Sequence, residues 1–188
     1  LGIFTVIFII LFMACIMVMS MKIYTLPFGV ALGSFFAASA YMLLRAKAPK
    51  TGAIILFGIL FGLVMFAMGS GWPILASVVV SSIIAELIAR SGDYKGYARE
   101  VIGYCILMMG TAVGSYIPFL VMKDYYLKLA EGNSINGEFM SRLVEFISGP
   151  YLMLALVTTI VTAILGTMLA RAIFKKHLVK AGLIREMK

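Results

Sequence analysis

Residues 1–21, LGIFTVIFIILFMACIMVMSM, run from Leu1 to Met21 without a charged side chain. That stretch decides the fold class. A helix rises about 1.5 Å per residue, so a run of this length spans about 30 Å, the thickness of a bilayer's hydrocarbon core. Backbone N–H and C=O groups in lipid must find partners inside their own segment, and a helix provides them. The run lacks a basic leading region and a small-x-small cleavage site before Met21, so it reads as a span and not as a signal peptide. Its opening at Leu1, already inside apolar sequence, places the expected N-terminus upstream.

Five more runs follow: 26–44, 52–68, 73–89, 101–122 and 149–174. Each has roughly the 17–25 residues that a span needs. Gly69-Ser70-Gly71-Trp72-Pro73 divides the third from the fourth, with Pro73 suited to a helix start. Composition agrees: 63% of residues are hydrophobic and 13% charged, about half the charge of a soluble domain, and mean hydropathy is +1.07. A soluble fold of this size has too much surface to hide so many apolar side chains. The expectation is an all-α integral membrane bundle of six transmembrane helices. It forms one domain over 1–188, with an exterior loop at 123–148 and a basic tail at 175–188.

Charge supplies the orientation. With the N-terminus in the cytoplasm, Arg45, Lys47, Lys50, Arg90, Lys95, Arg99, Arg171, Lys175, Lys176, Lys180, Arg185 and Lys188 fall inside. Lys22, Lys123, Lys128 and Arg142 fall outside. Twelve against four follows the positive-inside rule and requires an even number of spans, with both termini cytoplasmic. The net charge of +8 therefore reads as topology and not as a nucleic-acid surface. In the exterior loop, Gly132–Gly137 marks a turn, and Phe139, Leu143 and Phe146 recur at helical spacing over Glu138–Ile147. That amphipathic helix is expected on the membrane surface or as a cap over the bundle.

Catalytic chemistry is missing. No G-x-x-x-x-G-K-[ST] phosphate loop occurs. The single histidine, His177, sits about a membrane thickness from Ser70, so the two make no nucleophile–base pair. Cys15 and Cys105 lie in apolar runs without metal-site spacing and read as packing residues. No metal, cofactor or enzymatic activity is expected. Glu86, the one carboxylate within these runs, is a functional candidate by default. Its place near the cytoplasmic end favours a structural partnership with Arg90 one turn later, or with a basic loop residue.

Two further patterns stand out. Small residues recur at close-packing spacing in Gly29/Gly33/Ala37, Gly58/Gly62, Gly110/Gly114 and Gly166/Ala170. Aromatic and hydroxyl residues gather toward the exterior half. Tyr24, Tyr125 and Tyr126 read as an interfacial belt. Trp72, Tyr116 and Tyr151 start or face helices four, five and six at similar depth, and belt or outward-opening pocket fits them equally. With Ser77, Ser115 and Thr158, these three form the candidate substrate site.

Over nearly its whole length the chain resembles the Trep_Strep integral membrane proteins. These group with the substrate-binding S components of energy-coupling factor (ECF) vitamin transporters. The resemblance rests on Gly69-Ser70-Gly71-Trp72-Pro73 with Ala85-Glu86 following, on Gly92-Asp93-Tyr94-Lys95, and on the tail Lys175–Gly182. It implies a protein of the bacterial cell membrane that captures a small vitamin or precursor from outside, with pyridoxine or hydroxymethylpyrimidine favoured. Its implied partners are a transmembrane scaffold (T component) and two ATP-binding cassette ATPases that energise release. The implied pocket lies between helices four to six, with Lys22–Leu26 as its lid. Such proteins often meet the scaffold through Ala-x-x-x-Ala in helix one. Here Gly2 to Val6 is the nearest match, and Gly29, Gly33 and Ala37 are candidates to share the docking. Two other functions compete: a stand-alone secondary transporter or channel acting as a homodimer, with Glu86 as its coupling site, and a scaffold without a ligand.

Overall fold

The computed structural model describes residues 1–94, 96–125, 128, 137–147 and 150–179, with backbone alone for 137, 139, 140, 144 and 177–179. Lys95, Tyr126, the turn before Gly137, Gly149, Lys180, Arg185 and Lys188 lie outside the described residues, as does the side chain of Phe139.

The order is α1 (Gly2–Met19), a short tight turn (Leu26–Phe28), α2 (Gly29–Lys47), α3 (Ala53–Met65), a wide turn (Phe66–Ser70), α4 (Trp72–Arg90), α5 (Tyr97–Val121), α6 (Gly137–Ile147) and α7 (Pro150–Ile173). A wide turn at Phe174–Val179 continues α7. Among the described residues there is no strand. Among the described residues, six helices are long and apolar enough to cross a membrane: α1, α2 with its leading turn, α3 with its trailing turn, α4, α5 and α7. The protein is a multi-pass, all-α integral membrane protein.

The spans pack around a ring in the order α3, α4, α5, α7, α2, α1, and α1 touches α3 to close it. α2 also reaches α5 across the ring. It is the hub, with 61% of its span buried against 22% for α1. Small residues explain the close approaches. A Cβ on Gly33 would stand 2.6 Å from the Phe12 ring of α1, and one on Gly62 would stand 2.9 Å from Leu75 of α4. On Gly114 it would meet Ser77 of α4 at 2.8 Å, and on Gly166 it would meet Ala38 of α2 at 2.9 Å. In lipid, where apolar burial drives little helix association, such packing holds a bundle together. Between α1 and α3, Phe8 meets Phe57 edge-on at 4.8 Å, and Phe12 meets Phe61 likewise at 5.1 Å. Large apolar side chains such as Ile3, Met17, Val80, Leu87 and Met153 point outward.

Two α-helix ends run three or four residues past the sequence expectation. α2 continues past Leu44 to Lys47, and α5 begins at Tyr97, ahead of Val101. The extensions carry Arg45 and Glu100 into helices. Both are buried, and each neutralises the other, so neither charge stops its helix where an apolar window would.

Candidate functional site

The bundle has a basic end and an aromatic end. At the basic end, Arg45 from the last turn of α2 grips Glu100 from the first turn of α5 through Nε–Oε2 at 2.9 Å and Nη2–Oε1 at 3.0 Å. The side chains are 1% and 2% exposed. Each also sits at the helix terminus whose dipole favours its charge. Arg45 Nη1 donates to the Ala48 carbonyl, and its guanidinium lies 5.2 Å from the centre of the Tyr94 ring.

Glu86 does not partner Arg90. Its carboxylate accepts from the backbone N–H of Gly52 at 2.8 Å, from that of Ile54 at 2.9 Å, and from the Tyr94 hydroxyl at 2.8 Å. The residue that caps the start of α3 is Gly52, which has no side chain to do so, and Glu86 supplies the cap from the neighbouring helix. Asp93 and Tyr94 take φ of 50° and 57°. That region costs a non-glycine residue about 1–2 kcal/mol. Tyr94 is held there by Glu86, by Thr51 at 3.2 Å and by Arg45. The basic end is thus one connected lock across α2, α3, α4 and α5. The sequence reading missed Arg45, Glu100 and Tyr94. The signal available for the pair was one basic and one acidic residue just beyond apolar run ends.

The aromatic end holds a cleft of about 500 Å³. Ile23 and Tyr24 from the α1–α2 loop line it, with Arg142, Glu145 and Phe146 from α6 and Tyr151 from α7. Phe146 lies stacked on Tyr151 at 4.1 Å between ring centres, and Tyr24 meets Phe146 edge-on at 5.3 Å. Leu143 and Ile147 anchor α6 in the core, so this helix caps the bundle. Arg142 pairs with Glu138 at 2.6 Å on the exposed face of α6.

The six candidate substrate residues are not brought together. Tyr151 lines the cleft. Trp72 opens α4, half exposed and outside the lining. Tyr116 turns into the core, where its hydroxyl accepts from the Val30 N–H at 3.4 Å in the first turn of α2. Ser77 donates to the Gly110 carbonyl at 2.6 Å and helps join α4 to α5. Ser115 and Thr158 donate to carbonyls one turn back, Thr111 at 2.7 Å and Leu154 at 2.6 Å. Of the candidate docking residues, Gly29 and Gly33 face α1 and Ala37 is buried, so that stripe is covered from within. Gly2 and Val6 lie open on the outer side of α1.

One comparison with known proteins is positive. A family model described as hypothetical bacterial integral membrane protein (Trep_Strep) matches residues 1–180. No curated protein and no solved structure matches.

Proposed function

The chain belongs to the Trep_Strep family of bacterial integral membrane proteins, and from that premise we propose that it is the solute-binding membrane subunit of an ECF-type importer. The observation that carries this reading is the cleft at the aromatic end, where a loop, a capping helix and a spanning helix each contribute one ring. A concave site with aromatic walls and a few polar groups is the form that a small-molecule pocket takes. The positive-inside rule turns the basic end toward the cytoplasm, so the cleft faces outward to receive solute. The chain's own sequence supplies no phosphate loop, so energy comes from partners: a membrane scaffold and two ATP-binding cassette ATPases. A small planar vitamin or precursor suits the rings, with pyridoxine and hydroxymethylpyrimidine first among the solutes to try.

Co-expression with a scaffold and two ATPases is expected to yield one co-purifying complex. A clean monomer that moves solute across liposomes without ATP would remove the reading. A thermal-shift screen in detergent against B-vitamins and their precursors tests the pocket directly, because a ligand that binds only the folded state raises its melting temperature. Tyr151→Ala is expected to weaken binding by about tenfold, the loss of about 1.4 kcal/mol of stacking. Trp72→Ala, outside the lining, is expected to leave affinity unchanged. The reverse order would move the site toward α4.

A further inference from the structure

Phe146 and Tyr151 stack more closely than any ring pair of the phenylalanine core, at 4.1 Å between centres with planes 24° apart. A planar ligand ring lying on Tyr151 would take the same place and geometry. We propose that Phe146 is a displaceable stand-in for the solute: a neutral, single-ring aromatic ligand takes its position on Tyr151. This rests on the reading of the cleft as the solute pocket.

Three observations support it. Phe146 rides on α6, whose hold on the bundle comes from Leu143 and Ile147, both buried. The Phe146 side chain can therefore leave Tyr151 while α6 stays docked. Among the described residues, the other ring that Phe146 meets is Tyr24, in a T-shaped contact, and Tyr24 is itself 70% exposed on the α1–α2 loop. The charges in the lining cancel, one from Arg142 and one from Glu145, and Arg142 is already held by Glu138. A phosphate ester would need a further cation, and the described lining has no other. The volume of about 500 Å³ lies in the range of small-molecule pockets and suits one ring with short substituents.

The test uses the full chain in lipid nanodiscs and calorimetric titration with pyridoxine, hydroxymethylpyrimidine and pyridoxine 5′-phosphate. Phe146→Leu removes the competing ring and keeps apolar bulk on α6. It is expected to tighten binding of a free ring by about 2- to 10-fold, the worth of one aromatic pair. Tyr151→Leu is expected to weaken it by about tenfold or more. The phosphate ester is expected to bind at least about tenfold more weakly than pyridoxine, the effect of an unmatched, largely dianionic group. Phe146→Leu binding that is unchanged, or weakened as much as Tyr151→Leu, would make Phe146 a fixed part of the wall. The wild type would still bind, and the pocket reading would survive. A wild type that binds neither free ring overturns both. Should Phe146→Leu misfold, Phe146→Trp in a Trp72→Phe background provides one reporter, since Trp72 is the chain's single tryptophan. Its emission is expected to move to the red as pyridoxine pushes the indole toward water, and a spectrum that does not move overturns the displacement.

Discussion

Arg45→Met, with Glu100 left in place, is expected to cost the fold about 3–5 kcal/mol, the usual effect of leaving one member of a buried ion pair alone. The pair is enclosed, with side chains 1% and 2% exposed. Two hydrogen bonds join it, so both carboxylate oxygens depend on this arginine. Without it, the buried Glu100 charge loses the arginine that pairs with both of its oxygens. Glu100→Leu should cost a similar amount, because it strands the guanidinium. The double variant Arg45→Met/Glu100→Leu is expected to recover much of the loss, since no uncompensated charge remains. Recovery should be incomplete, because Arg45 also binds the Ala48 carbonyl and lies over Tyr94. Reversible unfolding in mixed micelles measures all three. Single variants within about 1 kcal/mol of wild type would show that the pair behaves as an exposed one.

Glu86→Gln is the second large effect, with about 1–4 kcal/mol expected. The glutamine keeps the shape of the side chain but puts an NH2 where one oxygen accepted. Gly52 and Ile54 donate to different oxygens, so one backbone N–H then faces a donor. An unsatisfied buried donor costs about 1–3 kcal/mol. Loss of the charge at the N-terminus of α3 adds about 0.3–1 kcal/mol. Amide exchange localises the effect: the Ile54 amide should exchange faster while amides in the middle of α3 stay protected. An unchanged melting temperature and unchanged Ile54 exchange would separate Glu86 from the cap. The prediction also bears on the competing secondary-transporter function. A carboxylate whose two oxygens already receive three hydrogen bonds serves poorly as a coupling-ion site.

The spans were readable because each is a long, overwhelmingly apolar run, and lipid leaves such a run only one backbone solution. Their ends were not. A rule that stops at the first charge stops at Leu44 and starts at Val101, and so removes both members of the ion pair that lets α2 and α5 extend. Pairing is a property of two distant positions, and no window along one helix contains it. The candidate site failed in the same way. Trp72, Tyr116 and Tyr151 share a depth, but depth does not fix direction around a helix. Tyr116 turned inward, Trp72 outward, and Tyr151 alone met the cleft. Hydroxyls were misleading for a local reason. A serine or threonine in an apolar helix bonds readily to a carbonyl one turn back, as Ser115 and Thr158 do. The amphipathic pattern of 138–147 did predict a surface helix or cap. Which of its faces would meet Tyr24 and Tyr151 depended on how α6 lay across the bundle.

The borrowed caps set a timetable for synthesis. Neither α2 nor α3 begins with a side chain that satisfies its own first amides. For α3 the missing group arrives soon, 34 residues after Gly52, on the helix that follows it in the chain. For α2 the Tyr116 hydroxyl lies 86 residues beyond Val30, on a helix the ribosome reaches three spans later. The third and fourth spans can therefore complete each other as a newly made hairpin. The hub of the finished bundle must wait, its leading turn incomplete, until the fifth span has been made.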